Sequence, residues 1–132
     1  MALQVEKAIT PKLGITPQTA TATVTGTGID CSGHQEVVYA LMVGAVSGTT
    51  PTLDVSIQES ATVGGTYTAL SPAVAFAQVT TATHQLHVGA PVNAAKPFQR
   101  VLATIAGTTP SYLMSVALLK VNPELLPAAA GA

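Results

Sequence analysis

The fold is decided by two stretches of similar sequence, Val43-Gly-Ala-Val-Ser-Gly-Thr-Thr-Pro-Thr-Leu-Asp-Val-Ser-Ile57 and Val101-Leu-Ala-Thr-Ile-Ala-Gly-Thr-Thr-Pro-Ser-Tyr-Leu-Met-Ser-Val116. Each holds the tetrapeptide Gly-Thr-Thr-Pro between two apolar runs, and the copies begin at residues 48 and 107, which are 59 positions apart. Glycine and proline between strand-like runs are typical of a turn. We therefore predict two equivalent hairpins, each with the tetrapeptide at its turn and an antiparallel strand on either side.

The run after the first tetrapeptide gives the clearest strand pattern in the chain. Apolar and polar residues alternate there, with Leu53, Val55 and Ile57 in one set and Asp54, Ser56 and Gln58 in the other. Successive side chains of a strand point to opposite faces of the sheet. We predict that the apolar set is buried and that the polar set faces away from the core.

Turn signals divide the rest of the chain into further short strands. Ala20–Gly28 alternates between threonine and small apolar residues, Gly64-Gly65 favours a hairpin turn, and Thr83–Val88 leads into Gly-Ala-Pro. About eight short strands without a long amphipathic helix indicate a sandwich, jelly roll or barrel. We predict an all-β chain, an antiparallel β-sandwich of jelly-roll-like type. It has an N-terminal arm at residues 1–19, the sandwich domain at 20–121 and a C-terminal tail at 122–132.

The composition indicates a surface that is shared with another chain. The 132 residues are 48% hydrophobic and only 8% charged, whereas an ordinary soluble domain has roughly 25% charged residues. So few charges would solvate a lone monomer poorly, and another chain is expected to cover part of the surface. The net charge is −1 and the five basic residues are scattered, which argues against nucleic-acid binding. No signal peptide or membrane-spanning run is evident, so no membrane partner is expected.

Two groups of residues have the side chains of metal ligands. Asp30, Cys31 and His34 lie close together, but a structural zinc site needs four ligands, and Cys31 is the only cysteine. His84 and His87 form His-x-x-His, which shares one face on a helix but diverges on a strand. We interpret the first group as an ordinary turn and the second as strand residues, and we expect no metal or cofactor.

Catalytic groups are present only as scattered residues. Asp54 and Glu59 could form a carboxylate pair, but they are an odd number of residues apart on one predicted strand and should diverge. Thr25–Gly28 is glycine-rich, yet no lysine or helix follows to cradle a phosphate. No nucleophile elbow accompanies the serines and histidines. We therefore expect no enzymatic activity and name no catalytic residue.

Two segments carry a resemblance to a known class of proteins. Residues 51–70, with Leu-Asp-Val-Ser-Ile-Gln-Glu-Ser before Gly-Gly and Tyr-Thr, look like a recurring pattern in small structural proteins of tailed bacteriophages. Residues 98–119 are similar to the closing hairpin of the same proteins. These include capsid decoration, or cement, proteins with sandwich or jelly-roll folds. The likeness is a pattern of residue types, and it brings no catalytic residues with it.

The resemblance implies a virion protein that stabilises the capsid shell by packing. The implied partner is the major capsid protein, at the capsid exterior, after synthesis in the host cytoplasm. A homo-oligomer is expected, with a trimer favoured and a dimer possible. We predict that the N-terminal arm makes the capsid contact, because its prolines keep it extended and it offers apolar anchors at Leu3, Val5, Ile9, Leu13 and Ile15. Two alternatives stay open: a tail or baseplate accessory or host-surface binding module, and a small β-sandwich enzyme.

Overall fold

The computed structural model describes residues 9–121, with the backbone alone described at residues 9, 10 and 87–89. Every regular element in this range is a β-strand, and all the strands pair antiparallel, which confirms the all-β prediction. The strands are β1 (Ile9–Ala20), β2 (Val24–Thr25), β3 (Ile29–Asp30), β4 (Glu36–Ser60), β5 (Thr68–Ala69), β6 (Thr83–Pro91) and β7 (Phe98–Val121).

The two long strands, β4 and β7, pair with each other from end to end. Glu36 lies opposite Val121 at one end, and Ser60 lies opposite Phe98 at the other. The Gly-Thr-Thr-Pro segments lie inside these strands and face each other, with Thr49 opposite Thr108. The prediction of two hairpin turns is therefore wrong, although the two segments are equivalent as expected.

The tetrapeptides kink the long strands without reversing them. Gly48 and Gly107 have φ of +115° and +117°, and Thr50 and Thr109 have φ of 48° and 47°. A Cβ atom added to either glycine would lie 2.7 Å from a threonine carbonyl oxygen of the other tetrapeptide. The glycines are needed because the two backbones approach each other closely here, with a φ that other residues avoid. We call this point of close approach the crossing. Register shifts on both sides of the crossing accompany this kink.

The crossing divides the sheet into two half-sheets. In half-sheet 1, residues 111–121 of β7 pair with 36–47 of β4, and β1 and β6 form the two edges. In half-sheet 2, residues 98–106 of β7 pair with 52–60 of β4. Here β2 and β3 flank β7, while β5 and single bridges from Ala75 and Val79 flank β4.

An internal twofold pattern relates the two parts of the chain. Ala20 lies opposite Tyr112, and the residues at an offset of 59 positions, Val79 and Leu53, also lie opposite each other. Strands β1, β2 and β3 all pair with β7, whereas β5 and β6 pair with β4. The N-terminal part of the chain (β1–β4) therefore supplies its outer strands β1, β2 and β3 to β7. The C-terminal part (β5–β7) supplies its outer strands β5 and β6 to β4.

The inward faces of the two half-sheets share one core. Leu53, Val55 and Ile57 are almost fully buried, as predicted, and Asp54 is exposed with Ser56 and Gln58 half-buried. The hydroxyl of Tyr39, in half-sheet 1, donates a hydrogen bond of 2.6 Å to the side-chain oxygen of Gln99 in half-sheet 2. The hydroxyl of Tyr112 donates to the carbonyl oxygen of Val79 at 2.8 Å. These two buried bonds connect the half-sheets across the core.

Other predictions about the strands are corrected in part. The predicted strand at Ala20–Gly28 is reduced to the two residues of β2, because β1 ends at Ala20 and only Val24–Thr25 pairs with β7. The predicted turn at Gly64-Gly65 is confirmed, since Glu59 and Thr68 pair antiparallel on either side of it. The arm prediction fails for residues 9–19, which form β1 along the edge of half-sheet 1.

Candidate functional site: an exposed apolar sheet face

The outward side of half-sheet 1 is an exposed apolar surface. One cross-strand row runs Leu13, Ala117, Ala40, Leu86 over all four strands. A second row places Leu119 opposite Val38, and Met42 lies beside the first row. We call this surface the apolar face; its members are Leu13, Val38, Ala40, Met42, Leu86, Leu113, Ala117 and Leu119.

The large side chains of the apolar face are well exposed. Met42 is 58% exposed and Leu86 is 65% exposed, while Leu13, Leu113 and Leu119 are between 37% and 50% exposed. These five account for all but one of the large exposed apolar side chains in the described part of the chain, the other being Val63. A contiguous apolar patch of this kind marks an interaction surface far more often than scattered exposed residues do.

A groove lies at the end of the apolar face nearest the crossing. It has a volume of about 630 Å³ and is lined by Pro17, Met42, Gly44, His84 and Leu113, among others. Gly44 keeps the groove open, because a Cβ atom there would lie 3.3 Å from the Leu113 side chain. An apolar side chain of a partner would fit such a groove with little desolvation of polar groups.

The outward side of half-sheet 2 is different in character. Its polar side chains satisfy one another: Gln78 donates to both carboxylate oxygens of Asp54 at 3.2 Å. Arg100 donates to the side-chain oxygen of Gln58 at 2.8 Å and stacks 4.1 Å from the ring centre of Tyr67. The fold has an internal twofold pattern, yet one outward face is apolar and the other is polar. The difference indicates that the two faces meet different surroundings.

The predicted contact residues of the arm have different locations. Leu3 and Val5 lie outside the described residues. The backbone of Ile9 pairs with Val121 at the end of β1. Leu13 is on the apolar face, 50% exposed, whereas Ile15 is 2% exposed in the core. Of the two anchors whose side chains are described, Leu13 is placed where it can meet a partner and Ile15 is not.

The candidate metal ligands do not converge in the described part of the chain. No group of three or more histidine, cysteine or acidic residues there could hold a metal ion. Asp30 accepts a hydrogen bond from the Ser32 backbone at 2.9 Å, and the His34 ring lies 3.3 Å from the Ser32 carbonyl oxygen. Cys31 is fully buried, and desolvation raises the pKa of its thiol to about 11. The turn is thus held by local bonds.

The other candidate groups are also separated. His84 is exposed opposite Met42, and the backbone of His87 lies opposite Tyr39. Asp54 is exposed on the outward side of β4, whereas Glu59 is 7% exposed near the end of the same strand. The side chains of Asp54 and Glu59 point to opposite faces because the two residues are an odd number of positions apart on one strand, as predicted.

Sequence reasoning missed the apolar face. Its signal was present in the almost continuous apolar runs 37–46 and 112–121, in which residues of both parities are apolar. Such runs are typical of a strand that is covered on both sides.

The comparisons with protein-family models, with curated proteins and with solved structures found no match to this chain. Over residues 9–121, no helix is long and apolar enough to cross a membrane.

Proposed function

We propose that this chain is a structural virion protein of a tailed bacteriophage, a capsid decoration protein that acts by packing and carries out no catalysis. Its fold is taken to be a β-sandwich of jelly-roll-like type, formed when the two half-sheets pack on each other. The resemblance of residues 51–70 and 98–119 to phage structural proteins supports this proposal. The partner is the major capsid protein, at the outside of the shell.

The observation that carries the proposal is the apolar face. Five Leu and Met side chains are between 37% and 65% exposed there. A protein that works in contact with another protein gains stability by covering such side chains, since each fully buried Leu or Met contributes about 1.5–3 kcal/mol. The polar face of half-sheet 2 is suited to the solvent side of a bound layer, because its polar groups already have partners.

The free energy gained by burying the five side chains is small for one copy of the chain, which favours attachment through several linked copies. The five side chains have roughly half of their surface left to bury, so together they supply about 5 kcal/mol. Association costs about 4–15 kcal/mol in lost translational and rotational freedom. One copy would therefore bind weakly, and linked copies would bind the shell far more strongly through multivalency. This agrees with a homo-oligomer as the working form.

The experiment compares two lysine substitutions on opposite faces. Met42→Lys places a charge on the apolar face beside the groove, and Thr104→Lys places one at an exposed position of half-sheet 2 opposite Asp54. Shells assembled from the major capsid protein of the same phage are sedimented with each purified variant. We expect wild-type and Thr104→Lys protein to sediment with the shells and Met42→Lys protein to stay in solution.

Equal binding of the two variants would show that attachment does not use the apolar face. Failure of the wild-type protein to bind any shell would contradict the decoration function itself. A reconstruction of the intact virion would then show whether the chain is located in the tail or baseplate instead.

A further inference from the structure

A second, smaller cavity is formed by residues near the ends of β4 and β6. It has a volume of about 190 Å³ and is lined by Glu59, Leu70, Ser71, Pro91, Val92 and Asn93. None of these residues belongs to the apolar face, so the cavity is a separate feature of the surface. Its lining combines apolar side chains with a few side-chain oxygens, which is the usual composition of a site that binds a small group.

The carboxylate of Glu59 is the unusual part of this lining. The side chain is only 7% exposed, and acidic side chains are almost never so buried unless they are paired. Within residues 9–121, no group donates a hydrogen bond to this carboxylate and no cation forms an ion pair with it. In the ionised state it is therefore stabilised only by what enters the cavity, which is either water or a cation.

The polar side chain directly opposite on β7 is already engaged elsewhere. Gln99, the partner of Glu59 in the strand register, accepts a hydrogen bond of 2.6 Å from the Tyr39 hydroxyl. The amide nitrogen of Gln99 donates to the carbonyl oxygen of Pro91 at 2.9 Å. Both ends of this amide are thus held in place, and the carboxylate of Glu59 is left to the cavity.

A cation of the same chain lies close by without reaching the carboxylate. The ammonium group of Lys96 donates to the Thr68 hydroxyl at 3.4 Å, and Thr68 lies opposite Glu59 on β5. Lys96 would have to leave this hydroxyl in order to pair with Glu59. Pairing within the chain is therefore the alternative that an experiment has to exclude.

We propose that this cavity binds a lysine side chain of a partner protein, with Glu59 as the carboxylate that meets the ammonium group. The unpaired carboxylate supplies the complementary charge, and the ammonium can also donate to the side-chain oxygens of Ser71 and Asn93. The methylene groups of a lysine pack well on apolar walls such as Leu70 and Val92. The site does not depend on the partner being a phage shell, so its test needs none.

Size and ligand number favour lysine over the other cations. Liquid water occupies about 30 Å³ per molecule, so the cavity has room for roughly six non-hydrogen atoms. A lysine side chain has fewer than this and an arginine side chain has more. A calcium ion takes about 6–8 oxygen ligands, and no group of three or more histidine, cysteine or acidic residues converges in the described part of the chain.

The test uses two small probes that differ only in charge. Nα-acetyl-lysine methylamide or Nα-acetyl-norleucine methylamide is added to the full chain, and the chemical shifts of the Ser71 and Asn93 backbone amides are followed. We expect saturable shifts with the lysine probe, with a dissociation constant of about 1–10 mM. The norleucine probe has a similar stem but no ammonium group, so it should bind about tenfold more weakly or worse.

Three substitutions assign the binding to the cavity. Glu59→Gln should weaken the lysine probe about tenfold or more, because the charge is lost while the shape is kept. Asp54→Asn makes the same change on the exposed side of the same strand and should change the dissociation constant by less than about twofold. Lys96→Gln should leave binding intact or tighten it, since it removes a like charge near the cavity.

Three outcomes would overturn the proposal. The first is no saturable shift with the lysine probe, which would mean that the cavity holds water only. The second is equal binding of the two probes, or unchanged binding of the lysine probe by Glu59→Gln. The third is found in urea unfolding: if Glu59→Gln and Lys96→Gln each destabilise the chain and the double variant loses no more than either one, the two residues pair with each other.

Discussion

Replacing the glycine of either tetrapeptide tests whether the two backbones approach each other at the crossing as closely as the structure shows. Gly107→Ala places a methyl group 2.7 Å from the Thr50 carbonyl oxygen, at a φ of +117°. The backbone conformation costs about 1–3 kcal/mol for a residue other than glycine. The contact is with backbone, which cannot rotate away, and overpacking of this kind costs a further 1–3 kcal/mol, roughly. We expect a loss of about 2–6 kcal/mol in the free energy of unfolding.

Three matched substitutions separate these causes in urea unfolding. Gly48→Ala has the same geometry against Thr109 and should lose as much as Gly107→Ala. Gly33→Ala has a φ of +81° but no atom within 4 Å, so it should lose only about 1 kcal/mol. Gly64→Ala has open space and no positive φ, and a lower entropy of the unfolded chain should make it neutral or slightly stabilising. If Gly48→Ala and Gly107→Ala lose no more than Gly33→Ala, the close crossing is refuted.

Three further predictions concern the core and are all measured by unfolding. Ile57→Ala should lower the free energy of unfolding by about 2–5 kcal/mol through a cavity, whereas Ser56→Ala, on the outward side of the same strand, should change it little; equal losses would contradict the assigned faces. Tyr39→Phe should cost about 1–3 kcal/mol, because the buried Gln99 side chain loses its donor; a neutral result would mean that this bond adds nothing. Burial raises the pKa of Cys31 from 9.0 to about 11, so the unfolded chain releases this proton first and stability should fall as the pH rises from 9 to 11. Cys31→Ala should lack that part of the fall, and identical pH profiles would contradict it.

The strand alternation could be predicted from sequence because it depends on neighbouring residues alone. Leu53, Val55 and Ile57 are buried as the period of two required. The role of Gly-Thr-Thr-Pro could not be predicted in the same way. Glycine and proline accommodate both a reversal and a kink, and the choice is made by the strand that lies opposite. Thr49 lies opposite Thr108, which is far away in sequence. A pattern of neighbouring residues does not indicate such a distant pairing.

The candidate site was predicted less well than the strands. The low charge of the chain indicated a surface that is partly covered by another chain, which stays a prediction, but the contact was expected on the arm and the apolar face was not foreseen. Prolines at 11 and 17 favoured an extended segment, and extended backbone is equally suited to an edge strand. The location of Leu13 on the apolar face and of Ile15 in the core depends on pairing with β7. Whether the arm residues Leu3 and Val5 bind a shell stays a prediction.

The exchange of outer strands between the two parts of the chain has a consequence for synthesis. When the ribosome has completed β1 to β4, the strand that β1, β2 and β3 need has not yet been made, because all three pair with β7. Loop-closure entropy must be overcome before such distant pairings contribute, so folding is expected to be slow and to begin only near the end of translation. Until then the nascent chain exposes unpaired strands rich in apolar residues, which is the condition under which chains aggregate. A truncated product that ends before β7 should therefore never reach a native half-structure, because β1, β2 and β3 would lack the strand with which they pair.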